Sequence, residues 1–470
     1  MGFSNFVSLG NKADLDEVDF IEEFAEDPNT KIILAYIESV GDGDKFLKII
    51  PEVTKKKPVI IIKSGTSEAG SRAASSHTGA LAGNDIAFDL AFEKTGVIRA
   101  RTMTDLFNLA AIFNKAKLPL GKNFAIVTNA GGPGILTTDG FENYGLGLTK
   151  FSKETTNLLR EKLPHEATVY NPVDIIGDAP PERYKTALEI VFQEPNEICA
   201  GTLVLVTPQS QTNPSKVAEV LKEIQEKYPE KLIVAVFMGG ISMVEPIKIL
   251  HDSSIPCYEF PELAIESMKY MTVYANLRKT PDIPDKKAVA KTSINKERVK
   301  EILKKLRSDG RNVLHSSETS EIFSIYGIKS PKTFLAKSSS QTEELDEKVG
   351  YPLVMKVVSP DIIHKSDIGG VILGIKDKYE AKKAYSKINS NTEKYGPLNT
   401  RILGVEIQEM INTKKHEKNN ELIIGMSRDP QWGPLLMVGT GGIYTNFIKD
   451  VAFDLSYNYG IKDAQKLNEN

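Results

Sequence analysis

Five short apolar runs limit what this chain can fold into: Lys31–Val40 (KIILAYIESV), Pro58–Ile62 (PVIII), Asn123–Thr128 (NFAIVT), Gly201–Val206 (GTLVLV) and Lys231–Phe237 (KLIVAVF). Each is rich in Ile and Val and reads as a buried strand. Helical stretches punctuate them, at Asp44–Lys55, Asp85–Thr95, Met103–Asn114 and Ile135–Tyr144. Strands alternating with such helices predict parallel sheets covered on both faces. The segments VIRARTMTDLFNLAAIF and IPCYEFPELAIESMKYM share one grammar of short strand, turn and amphipathic helix. They close two doubly wound, flavodoxin-like domains in tandem, expected over residues 1–118 and 119–276.

Residues 277–299 are charged, contain Pro281 and Pro284, and read as a linker. Beyond them the pattern changes. Helices are expected at Lys300–Leu306, Glu318–Tyr326 and Gln341–Lys348. Strands are expected near Lys332–Leu335, Pro352–Val358, Gly370–Ile375, Ile402–Met410, Glu421–Met426 and Pro434–Val438. This mixture predicts an α+β nucleotide-binding domain over residues 300–470.

Composition narrows the function classes. A net charge of −3 offers no basic surface for nucleic acid or an anionic membrane. No apolar run reaches the ~18–20 residues of a membrane span, and the N-terminus lacks the pattern of a signal peptide. Cys199 and Cys257 make neither a disulfide framework nor a CxxC metal site, as suits a reducing cytoplasm.

Two loops then stand out. In Ser64–Gly83, 16 of 20 residues are Gly, Ala, Ser or Thr. Such a segment buries little and can turn backbone N–H groups toward an anion. His77 sits there beside Ser75, Ser76 and Thr78; the plain alternative is a surface loop with an incidental histidine. Glu38, at the end of the preceding strand, lies at the carboxyl edge where α/β sheets place functional groups. It could fix the tautomer of an imidazole and raise its nucleophilicity, or simply pair with a surface lysine. Asn129–Gly134 (NAGGPG) follows a strand and opens a helix, a ready phosphate site, although such glycines also serve close packing. In Val354–Gly370, Lys356 interrupts an apolar strand, where an unpaired ammonium is costly and calls for an anionic partner such as a nucleotide phosphate. His364 follows beside Lys365 and Asp367. Neither histidine has metal-ligand spacing, and two histidines in Gly/Ser-rich settings predict a phosphoryl relay.

These residues resemble the ADP-forming acyl-CoA (acetyl-CoA) synthetases of the succinyl-CoA synthetase superfamily. The resemblance rests on SSHTGALAG (Ser75–Gly83), NAGGPGILTTD (Asn129–Asp139), YNPVDIIGDA (Tyr170–Ala179), SPDIIHKSDIGGV (Ser359–Val371) and SRDPQWGPLLMVGTGGIYTNFIKDVAF (Ser427–Phe453). It implies that the 300–470 domain is an ATP-grasp domain. It implies a phosphohistidine at His77 with Glu38 as its orienting carboxylate, and a second relay histidine at His364. Ser76, Thr78, Gly131, Gly132 and Gly134 would hold the phosphate. Lys356, Glu409, Met410 and Glu421 would meet the nucleotide. The implied cofactors and partners are ATP/ADP, Mg²⁺, CoA, phosphate and an acyl-CoA or carboxylic acid, in a homo- or hetero-oligomer. The family's CoA-binding Rossmann domain and its acidic metal-binding segment are expected to lie outside this sequence, which makes it the central portion of a ligase. The competing reading is a non-catalytic module of the same family that binds nucleotide or partner chains.

Overall fold

The apolar runs become strands of two parallel sheets in the computed structural model, which describes residues 2–67, 69, 85–279, 295–362, 364–411, 421–441 and 451–456. The chain divides into two compact units, residues 1–285 with 422–470, and residues 286–421. The first sheet is built from α1 (Glu17–Glu26), β1 (Ile33–Ile37), α2 (Gly43–Lys56), β2 (Val59–Lys63), α3 (Asp85–Thr95), β3 (Ile98–Ala100) and α4 (Met103–Lys115). Its strands run parallel in the order β1-β2-β3. The two-residue period of the sheet divides the core in two. Val59 and Ile61 face Phe46, Phe88 and Phe92 of α2 and α3. Ile60 and Ile62 face Leu106 and Leu109 of α4. The helices start where the chain supplies caps: Asp42 accepts from the Lys45 N–H at 3.0 Å, and Thr102 with Asp105 closes a capping box before α4.

The second sheet comprises β4 (Asn123–Thr128), α5 (Gly131–Asn143), β5 (Gly147–Leu148), α6 (Lys153–Lys162), β6 (Val173–Asp174), α7 (Pro181–Val191), β7 (Gly201–Val206), α8 (Pro214–Lys227), β8 (Leu232–Phe237), α9 (Val244–Asp252), β9 (Cys257–Tyr258) and α10 (Pro261–Lys279). All pairings are parallel, in the order β5-β4-β7-β8-β9 with β6 beside β4. Helix α5 starts four residues earlier than its periodicity suggests. A first turn needs no N–H bonded to a preceding carbonyl, so glycines and Pro133 are accommodated there. The expected loop is therefore the helix's own first turn.

The unit formed by 286–421 contains α11 (Lys296–Ser308), α12 (Ser316–Ile325), β10 (Thr333–Ala336), α13 (Ser339–Val349), β11 (Leu353–Val358), β12 (Val371–Ile375), α14 (Lys378–Tyr395) and β13 (Gly404–Glu409). Its antiparallel sheet has the order β10-β13-β11-β12. Leu353, Met355 and Val357 join Ile388 of α14 in one core, so Lys356 points to the opposite face of β11.

The antiparallel meander β14 (Leu422–Asp429), β15 (Gly433–Thr440) and β16 (Val451–Leu455) belongs to the same unit as the first sheet. Asp429 Oδ1 accepts from the N–H groups of Gln431 and Trp432 at 2.9 and 3.0 Å, holding the β14–β15 turn. Trp432, 3% exposed, meets Phe46 and Phe88 edge-on, with ring centroids 5.4 and 5.1 Å away. Lys94 and Asp454 form an ion pair at 2.9 Å. The approach is so close that a Cβ on Gly43 would lie 2.0 Å from the Gln431 carbonyl oxygen.

Candidate active site

The carboxyl edge of the first sheet gathers charge. Ile37 of β1 pairs with Lys63 of β2, and the Ser64 N–H donates to the Ile37 carbonyl at 3.0 Å. Glu38 and Ser64 therefore leave the sheet side by side. Glu38 Oε2 is buried and has no hydrogen-bond partner among the described residues, an acceptor in want of a donor. The Lys63 side chain is buried at 5% exposure. Its ammonium donates to the Ser64 carbonyl and lies 4.8 Å from the Phe88 ring centroid. Burial pushes that ammonium below the usual lysine range; Asp85 and Glu38 oppose the shift and Arg99 adds to it. Arg99, also buried, donates to Asp89 Oδ1 at 2.6 Å and is ion-paired with Asp85. His77, Ser76 and Thr78 lie outside the described residues, in the stretch of chain between Lys63 and Asp85.

The second sheet presents the first turn of α5. Ala130 caps this helix without a side-chain hydrogen bond, so the N–H groups around Gly131 and Gly132 have no cap competing for them. The approach to the helix is held rigidly. Asn129 donates to the Thr207 carbonyl at 2.9 Å and accepts from the Thr207 N–H at 2.9 Å. Gly134 lets the helix close on β4: a Cβ there would lie 3.0 Å from Thr128 Cγ2. Asp174 Oδ1 accepts from the Ile176 N–H at 2.9 Å, while a Cβ on Gly131 would lie 3.0 Å from Asp174 Oδ2. Ile176 has φ of +71°, a strained conformation for a β-branched residue.

In the unit formed by 286–421, Lys356 donates to Gln408 Oε1 at 2.6 Å, and Gln408 Nε2 donates to Thr333 Oγ1 at 3.1 Å. Lys356 stands opposite Glu406 in the β11–β13 register, and Glu406 is 3% exposed with Oε1 unpartnered among the described residues. The ammonium thus has a neutral amide at hydrogen-bond distance and a buried carboxylate as its cross-strand neighbour. His364 is exposed on the β11–β12 connection, where the Gly370 N–H donates to the Lys365 carbonyl at 2.8 Å and Gly369 takes φ of +66°. Glu409 ends β13 and its N–H donates to the Lys332 carbonyl at 3.0 Å. The Met410 N–H donates to the Pro352 carbonyl at 3.2 Å. Glu421 is exposed just before β14.

Residues 1–113 match the family described as succinyl-CoA ligase like flavodoxin domain, residues 124–276 the Ligase-CoA domain, and residues 305–467 the ATP-grasp domain. The chain is 40% identical over 456 residues to an acetate–CoA ligase [ADP-forming] I of Archaeoglobus fulgidus, across 97% of this chain and 63% of that protein. The chain belongs to the ADP-forming acyl-CoA synthetase family, within the succinyl-CoA synthetase superfamily. A 4-hydroxybutyrate–CoA ligase [ADP-forming] of Nitrosopumilus maritimus is 38% identical across 97% of this chain and 64% of its own length. The chain thus spans less than two thirds of these curated relatives. Among solved structures, a dinucleotide-forming acetyl-coenzyme A synthetase 1 of Ca. Korarchaeum cryptofilum, in complex with phosphate and ADP, aligns with a TM-score of 0.55 at 33% identity, covering 58% of this chain and 59% of that one. The fold is that of the family: two tandem flavodoxin-like domains followed by an ATP-grasp domain.

Within this synthetase fold the structure brings Lys356 together with Gln408 and Thr333, and sets Glu38 beside Ser64, where the stretch of chain that bears His77 begins. Lys63, Arg99, Asp174 and Glu406 escape a reading of the sequence. Lys63 did leave a signal, as the lone charge ending an all-apolar strand. The other three sit between apolar neighbours in short strand-like runs, where a charged residue at an alternate position reads as an ordinary solvent-facing one.

Proposed function

We propose that this chain performs the phosphoryl-relay chemistry of an acid–CoA ligase (ADP-forming). In the direction of ATP synthesis, a phosphate oxygen attacks the acyl-CoA carbonyl; the C–S bond breaks and CoA departs with a proton. A ring nitrogen of His77 then attacks the phosphorus of the acyl phosphate, the P–O bond breaks, and the free acid leaves. The phosphoryl group passes to His364 and then to a terminal oxygen of ADP, giving ATP. Ser76, Thr78 and the first turn of α5 at Gly131, Gly132 and Gly134 hold the phosphate. Lys356, with Glu409, Met410 and Glu421, holds the nucleotide.

The observation that carries this reading is Glu38. Its buried oxygen, without a hydrogen-bond partner among the described residues, lies where the stretch bearing His77 begins, and supports a role as the acceptor that fixes the imidazole tautomer. Mg²⁺ is supplied with the nucleotide, bound chiefly through its phosphates. The chain works in the cytoplasm within an oligomer.

The test is incubation of the chain with γ-labelled ATP and Mg²⁺, followed by measurement of acid-labile, base-stable label. Loss of label in His77→Ala and in His364→Ala supports the relay, and Glu38→Gln is expected to slow labelling by about 10²-fold. Label that persists in the histidine double variant refutes it.

A further inference from the structure

We propose that Gln408, oriented by Thr333, is a positioning residue that presents the Lys356 ammonium to a nucleotide phosphate and keeps it out of an ion pair with Glu406. The inference rests on the nucleotide role given to Lys356 above and adds two residues to it. The core of the 286–421 unit takes Phe334 and Ala336 from β10, Val405 and Ile407 from β13, and Met355 and Val357 from β11. The alternation of a strand therefore puts Thr333, Glu406, Gln408 and Lys356 together on the opposite face. Thr333 is the direct cross-strand partner of Gln408, and Lys356 that of Glu406. Lys356 thus lies on the diagonal from Gln408, within reach of long side chains.

Three hydrogen bonds cross that face in one direction. Thr333 Oγ1 donates to the Pro331 carbonyl at 3.0 Å, Gln408 Nε2 donates to Thr333 Oγ1 at 3.1 Å, and Lys356 Nζ donates to Gln408 Oε1 at 2.6 Å. A hydroxyl has a single proton to give. With that proton on the Pro331 carbonyl, Thr333 can only accept from Gln408. The amide must then turn its nitrogen to Thr333 and its oxygen to Lys356. An ammonium has three N–H donors; the amide oxygen occupies one and cancels none of the charge. The competing acceptor stands directly across from Lys356: Glu406 is buried, and its Oε1 has no hydrogen-bond partner among the described residues. An ion pair formed there, away from water, would be strong, and a phosphate would have to displace the carboxylate to reach the ammonium. A neutral acceptor at 2.6 Å holds Lys356 without that competition. Gln408 and Thr333 make no bond to the transferring group; they act through Lys356.

The experiment measures equilibrium binding of ADP and of adenosine to the full chain by calorimetry. The ratio of the two affinities reads what the phosphates contribute, whereas a general loosening of the fold lowers both together. Lys356→Ala is expected to reduce the preference for ADP by about 10- to 100-fold, the range of a hydrogen bond to a charged group. Gln408→Leu and Thr333→Val are each expected to reduce it by about 3- to 10-fold, as a held ammonium becomes a mobile one. Thr333→Ser keeps the hydroxyl and should keep the wild-type preference. Gln408→Glu, which gives Lys356 an anion in place of a neutral amide, should lower the preference further than Gln408→Leu. A wild-type preference in Gln408→Leu, where Lys356→Ala has lost it, overturns the positioning role alone. So does a loss shared equally by ADP and adenosine, or a loss in Thr333→Ser as large as in Thr333→Val. An unchanged preference in Lys356→Ala, or a wild type that binds ADP no better than adenosine, overturns the nucleotide role of Lys356 and, with it, the roles given to Gln408 and Thr333.

Discussion

A carboxylate in this protein is defined by the cations and N–H groups that face it, and Glu318 shows how strongly. Arg311 donates to both of its oxygens, at 2.7 and 3.0 Å, and the His315 N–H donates at 2.8 Å. The Arg311 hydrogen bond, outweighing burial, pulls the Glu318 carboxyl down to about 2. A carboxyl whose folded value is depressed contributes stability above its unfolded value of 4.5, and that contribution disappears as pH falls toward 2. Glu318→Gln is therefore expected to destabilise the 286–421 unit by about 1 kcal/mol at neutral pH, the modest end for a charged hydrogen bond partly screened by water. Urea unfolding of wild type and variant should converge as pH drops through 4 toward ~2; a gap independent of pH would refute this account. The same electrostatics explains which site residues the sequence discloses. Lys356 is legible because an ammonium in an apolar strand breaks its pattern, and Glu38 because it ends a strand. Glu406, Arg99 and Asp174 break no pattern. Their importance comes from neighbours brought together by folding, and a linear reading does not carry that information.

Elements are legible where a period of two or of 3.6 residues governs burial, and less so where a contact joins distant segments. The strands β2, β4, β7 and β8 fall within a residue or so of their apolar runs because burial on both faces makes most of their residues apolar. Helix α5 is misjudged at its start, since glycines in a first turn look like a loop. The seat of Trp432 between Phe46 and Phe88 is beyond any local pattern, because residues 43–92 and 429–455 meet only in three dimensions. Gly43 is the hinge of that contact: the first residue of α2 must lack a Cβ for the Gln431 carbonyl to approach. Gly43→Ala is expected to cost about 1–3 kcal/mol, as overpacking does, and to loosen the meander from α2 and α3. Trp432 is the only tryptophan in the chain, so its emission reads the event directly. A red shift in Gly43→Ala, absent in Gly10→Ala where a Cβ would meet nothing within 4 Å, is the expected result. Unchanged emission and unchanged stability would show that the meander accommodates the methyl group by shifting.

At the scale of the molecule, sequence order and compact units follow different divisions. The ATP-grasp match runs from residue 305 to 467, yet Leu422–Leu455 shares a unit with the first flavodoxin-like sheet while 286–421 forms its own. The chain therefore passes between the units twice, once before α11 and again after Glu421. Parts of one sequence family thus serve two bodies: the meander completes the apolar cover of α2 and α3, and the other part carries Lys356 and His364. In the proposed relay, the half-reaction from ATP to His77 would call on His77, His364 and the nucleotide-binding residues assigned above. The half-reaction from acyl-CoA calls on CoA recognition as well, and the relatives that bear the full activity in their names are longer by more than a third of their length. On the expectation that the CoA-binding domain lies outside this sequence, the two half-reactions separate. The chain is expected to incorporate label from γ-labelled ATP, and to form no acetyl-CoA from acetate, CoA and ATP without an added CoA-binding partner. Chromatography of the reaction would detect the thioester directly. Acetyl-CoA made by the chain alone would show that the groups for both halves already lie within these 470 residues, and that the proposed division of labour is wrong.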